Sequence, residues 1–93
     1  MATQGTIAVY EKGEIVFSAH ATINGYFAPK MAYIIKTEGV PTSEELARNM
    51  ALRADWGCDD PFCSERVSFH WGHEAAMNDY WPADVMIMLD GDA

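Results

Sequence analysis

Between Thr6 and Ile23 apolar side chains recur at alternate positions, the period of a strand with one buried face. The alternation is interrupted at Glu11-Lys12-Gly13, so residues 6–11 and 14–23 are predicted to form a β-hairpin. The apolar pattern also selects a register. A three-residue loop with Gly13 in the left-handed conformation sets Val9 opposite Ile15 and Ile7 opposite Phe17. It gathers Ile7, Val9, Ile15, Phe17, Ala19, Ala21 and Ile23 on one face. A two-residue Lys12-Gly13 turn would oppose Glu11 to Glu14 and lose that face. Asn24-Gly25, a strong turn dipeptide, ends the second strand.

Residues 30–37 (KMAYIIKT) lie between Pro29 and Gly39, which suits a short helix, but Tyr33, Ile34, Ile35 and Thr37 favour a strand. A third strand is expected there. Thr42-Ser43-Glu44-Glu45 matches a capping box and is followed by Leu46, Ala47, Met50, Ala51 and Ala54 on one helical stripe, predicting a helix over residues 43–55. Residues 57–64 (GCDDPFCS) read as a loop, 66–71 as a strand, 73–80 as a loop or one or two helical turns, and 85–89 as a final strand with Met86 and Met88 on one buried face. The order β-β-β-α-β-β predicts an α+β domain spanning residues 1–93, an antiparallel sheet opened by the hairpin with one main helix packed on one face.

Composition narrows the partners. The 93 residues carry 14 acidic and 6 basic side chains, a net charge of −8, while 49% hydrophobic content supplies a core. Such a charge repels phosphate, which disfavours direct contact with nucleic acid or an anionic membrane surface. The start, MATQGTIAVYEKGE, has no basic region followed by an apolar run, and no window approaches the roughly 20 apolar residues of a membrane span. A cytoplasmic protein with reduced Cys58 and Cys63 is expected.

Two constellations bear on chemistry. Cys58, Cys63, His70 and His73 supply four nitrogen and sulfur ligands, the set a structural zinc takes, and define an alternative reading as a small zinc-stabilised interaction module. Against it, residues three apart on a strand point to opposite faces. No cofactor is expected. His20 has no serine or cysteine placed to form a recognisable nucleophile pair, and no catalytic motif is present, so the chain is read as a non-enzyme.

The charge itself is uneven. Residues 1–53 hold five acids and five bases, whereas residues 54–93 hold nine acids and Arg66 alone, together with all three tryptophans. Acids interleaved with large aromatics describe a binding face, and carboxylates at high density attract a basic nucleic-acid groove. The residues singled out for partner binding are Asp55, Asp59, Asp60, Glu65, Glu74 and Asp79, with Trp56, Tyr80 and Trp81 as aromatic anchors.

The stretch IAVYEKG (Ile7 to Gly13), a second strand ending in Asn24-Gly25 and a TSEEL helix start (Thr42 to Leu46) together resemble the opening of small phage-encoded anti-CRISPR proteins that inhibit type I systems. The resemblance covers the first half, and this chain adds a stretch at 29–40; no binding residue is carried over. It implies an α+β inhibitor of phage origin acting in the host cytoplasm. Its partner would be a protein with a basic nucleic-acid-binding surface, such as a subunit of a CRISPR surveillance complex, whose DNA-binding path it blocks.

Overall fold

The computed structural model describes residues 3–56, 67–77 and 85–90. Its elements are β1 (Gly5–Glu11), β2 (Glu14–Ala21), a 3-10 turn (Gly25–Phe27), α1 (Ala28–Glu38), α2 (Glu44–Arg53), β3 (Val67–Trp71), α3 (His73–Met77) and β4 (Val85–Asp90). The four strands form one sheet in the order β3-β2-β1-β4. The class is α+β, with the N-terminal hairpin at its centre. β2 runs antiparallel to β1 and β3, but β4 runs parallel to β1, so the sheet is mixed where an antiparallel one was expected. The expected loop over 57–64 lies outside the described residues.

The hairpin reaches its expected face by another route. Its turn is the two-residue one, with Lys12 at φ 52° and Gly13 at φ 79°, and Glu11 does stand opposite Glu14. A bulge between Val9 and Tyr10 then moves the register by one residue, from Tyr10 opposite Ile15 to Val9 opposite Phe17. Ile7, Val9, Phe17, Ala19 and Ala21 regain a common buried face, and the like-charged pair remains at the exposed tip, where water screens it.

Residues 30–37 belong to α1, not to a strand. The strand preference of Tyr33, Ile34 and Ile35 yields to burial at Ala28, Met31, Ala32 and Ile35, the i, i+3, i+4, i+7 stripe of a helix. Pro29 occupies the first turn, and Gly39 closes the helix by donating its N–H to the Ile35 carbonyl at 2.8 Å. α2 begins where expected: Ser43 accepts from the Leu46 amide at 3.2 Å, with Glu44 and Glu45 in the first turn.

α1 and α2 cover the face carrying Ile7, Val9, Phe17, Ala19, Val67 and Phe69. The Trp71 indole packs 5.3 Å from the Phe17 ring and donates to the Pro41 carbonyl at 2.8 Å, tying β3 to the connection between the two helices. The opposite face buries Thr6, Ala8, Ser18 and His20 and is covered in part by α3, whose Ala75 carbonyl accepts from the Ser18 hydroxyl at 3.4 Å. Met88, on this second face of the edge strand β4, is 63% exposed, so the buried position expected for it is not observed. The 3-10 turn crosses β1 backbone to backbone. Gly25 donates to the Thr3 carbonyl, a Cβ on Gly5 would sit 2.8 Å from Gly25 Cα, and one on Gly25 would run into the Gln4 carbonyl carbon. Among the described residues no helix is long and apolar enough to cross a membrane.

Candidate interaction surface

The end of α2 decides the roles of two residues singled out from the sequence. Trp56 donates its amide to the Ala51 carbonyl at 3.0 Å and Asp55 donates to the Leu52 carbonyl at 3.2 Å. This paired closure, the Schellman motif, needs a left-handed residue between cap and exit, and Asp55 takes it at φ 54°. The reversal leaves Asp55 exposed and swings Trp56 inward to 0% exposure. Trp56 is therefore a core residue and not an aromatic anchor on the surface; its indole N–H is buried with no hydrogen-bond partner among the described residues.

The other residues divide. Asp55 lies on the two-helix side, 4.0 Å from Lys30 Nζ. Glu74 lies in the first turn of α3, exposed, on the side of the sheet that α3 covers. The structure thus does not bring Asp55 and Glu74 together. Asp59, Asp60, Glu65, Asp79, Tyr80 and Trp81 lie outside the described residues, as do Cys58 and Cys63.

His70 is on β3 and His73 opens α3, with Gly72 at φ 59° turning the chain between them. Among the described residues no group of three or more His, Cys, Asp or Glu is placed to hold a metal. His70 Nε2 is buried without a hydrogen-bond partner among the described residues.

His20 has a neighbour that the sequence did not announce. Its Nδ1 lies 2.8 Å from the Thr6 hydroxyl, across the β1–β2 ladder. Burial holds its pKa below the usual 6.5, favouring the neutral ring. Hydroxyl and imidazole make the beginning of a nucleophile pair, and both are buried in the sheet, Thr6 at 1% and His20 at 6% exposure.

The exposed helical surface has a different character. Arg48 pairs with Glu44 at 2.9 Å, and Arg53 grips Glu38 with both guanidinium nitrogens, holding that carboxyl below its ordinary range. Both arginines of the first half are thus engaged by nearby carboxylates. Tyr26 in the 3-10 turn is 57% exposed and Tyr33 in α1 is 67% exposed. The strand reading of 30–37 concealed them, although the spacing from Tyr26 to Lys30 and Tyr33 was present in the chain.

No protein-family model matches this chain, and no curated protein or solved structure matches it either, so its function is read from the residues themselves.

Proposed function

We propose that this chain is a non-catalytic inhibitor of phage origin that binds the basic nucleic-acid-binding surface of a host defence complex, in the manner of an anti-CRISPR protein, and blocks its DNA path. The observation that carries the reading is the charge division: residues 54–93 hold nine acids against Arg66 alone, while Arg48 and Arg53 of the first half pair with Glu44 and Glu38 of that same half. An acid excess of this kind attracts a basic groove before contact. Asp55, Asp59, Asp60, Glu65, Glu74 and Asp79 supply the charge, Tyr80 and Trp81 remain aromatic anchors, and exposed Tyr26 and Tyr33 join them in place of Trp56.

The test is DNA binding by a purified type I surveillance complex with and without the chain. Inhibition is expected to weaken steeply between about 50 and 200 mM salt. Replacing Asp59 and Asp60 by Asn should weaken it further. No inhibition at low salt overturns the reading, and inhibition indifferent to salt and to both substitutions removes its charge mimicry.

A second reading, the zinc-stabilised module of Cys58, Cys63, His70 and His73, is favoured by one observation, the buried Nε2 of His70 with no hydrogen-bond partner among the described residues. Stoichiometric zinc after purification, with a melting temperature lowered by chelator, would replace the first reading with this one.

A further inference from the structure

Asn24 caps the 3-10 turn that follows β2, and the backbone calls for both members of the Asn24-Gly25 pair. Asn24 sits in the left-handed conformation, φ 54° and ψ 29°, which asparagine adopts more readily than most residues. Gly25 is buried where a Cβ would strike the Gln4 and Gly5 backbone.

In an open chain the same pair is chemically labile. With no Cβ on Gly25 to shield it, the Gly25 nitrogen gives up its proton to water and bonds to Asn24 Cγ. The Cγ–N bond of the carboxamide breaks and ammonia leaves, closing a five-membered succinimide ring. Water then reopens the ring at one of its two carbonyls. Cleavage at Cγ leaves aspartate at position 24, and cleavage at the main-chain carbonyl leaves isoaspartate.

The fold opposes the first of these steps. Ring closure requires the Gly25 nitrogen to turn about the Cα–C bond of Asn24 until it lies beside Cβ, and at ψ 29° it points nearly away. The peptide that must turn is held on both sides: its N–H donates to the Thr3 carbonyl at 2.8 Å, and its C=O accepts from the Phe27 amide at 3.0 Å. Space is short as well. A Cβ on Gly5 would stand 2.8 Å from Gly25 Cα, so the two backbones already touch, and Gln4 between them is fixed by its carbonyl, which accepts from the Val85 amide at 3.1 Å.

We propose that Asn24-Gly25 is a deamidation site gated by the fold, unreactive while Thr3 holds Gly25 and converted by water once residues 3–5 release it. The two products differ in consequence. Aspartate leaves the main chain unchanged and suits the left-handed position. Isoaspartate adds a methylene to the main chain between residues 24 and 25, and across so close a crossing the bonds to Thr3 and Phe27 do not both re-form. A chain that stays open is thereby withdrawn from the folded pool.

The test holds the purified chain near neutral pH with and without urea and follows Asn24 by peptide mapping, with isoaspartate counted by enzymatic methylation. Conversion should be at least about tenfold slower in the folded chain, because only the open fraction reacts. Below the unfolding midpoint the rate should rise with urea in parallel with hydrogen exchange of the Gly25 amide. Once urea is removed, the aspartate form should refold with the parental melting temperature, for which Asn24→Asp is the standard, and the isoaspartate form should not. Gly5→Ala presses on Gly25 and should speed conversion of the folded chain. If that variant does not fold, the urea series on the parent decides.

Equal rates at Asn24 in folded and unfolded chains, or a rate that does not follow exchange at Gly25, would overturn the inference. So would a folded Gly5→Ala chain that converts no faster than the parent, or an isoaspartate form that regains parental melting.

Discussion

Trp56 donates its amide to the carbonyl of Ala51 at 3.0 Å, and that one bond carries the chain from the surface of α2 into the core. Asp55, one residue earlier, is left in solvent in the left-handed conformation. Neighbours in sequence are thereby sent to opposite environments, and each supports a measurement.

Trp56 is buried for its bulk, while its indole N–H has no partner among the described residues. Trp56→Ala should lower stability by about 3–5 kcal/mol through lost contacts and a cavity. Trp56→Phe removes the unsatisfied donor along with part of the volume, so its loss should fall well short of the alanine value. Denaturant unfolding of both variants checks this, and equal losses would mean the indole nitrogen does have a partner.

Asp55 occupies a position where glycine is free of the Cβ penalty. Asp55→Gly is expected to raise stability by up to about 1 kcal/mol, because the Lys30 contact it gives up is exposed, 4.0 Å long and worth little. Asp55→Ala should give no such gain. A stabilised Asp55→Gly chain that inhibits DNA binding less well would separate the acid's contribution to binding from its effect on folding.

The Thr6–His20 pair predicts the first limb of acid sensitivity. Burial lowers the pKa of His20 in the folded chain below its ordinary 6.5. The unfolded state therefore takes up the proton first, and stability present above about pH 6.5 is lost as pH falls through the folded value. Glu38, held down by Arg53, acts in the same direction at lower pH, below its ordinary 4.5, and weakly because it is exposed. Melting temperature followed from pH 8 to about pH 2 should fall in two stages, and substituting His20 by Asn should remove the upper stage alone.

Gly25 is held against β1 closely enough that a Cβ would strike the Gln4 backbone. Gly25→Ala should cost about 1–3 kcal/mol or prevent folding, as overpacking against immobile main chain does. A thermal melt indistinguishable from the parent would show that the turn can retreat from the strand.

Tyr26 and Tyr33 contribute little to the core, so their replacement by Ala should leave stability within about 0.5 kcal/mol. If they anchor the partner, inhibition of DNA binding should drop by about tenfold or more for the pair. Unchanged inhibition would exclude this face of α1.

How much of this was legible depends on the range of the interaction responsible. The side-chain oxygen of Ser43, the alternation from Ile7 to Ala21 and the runs that became β3 and β4 act over a few residues, and those elements appear close to where the pattern places them. The uneven charge is likewise a property of the chain read in order. The helix over 28–38 could have been read from its stripe, but β-branched propensity outweighed that stripe until a sheet was present for the helix to cover.

Other features depend on contacts that no local signal encodes. The bulge beside Val9 exists because two strands meeting at a tight turn must still deliver Phe17 to the core beneath the helices. β4 lies parallel to β1 through a pairing between residues about 80 apart, and that placement leaves Met88 exposed. The burial of Trp56 follows from how α2 closes, while its apolar bulk and acidic neighbours in sequence suit a binding surface equally well. Local chemistry determined the elements and the sum of charge; burial and long-range strand pairing decided which faces the elements hide, because both depend on what lies opposite in space.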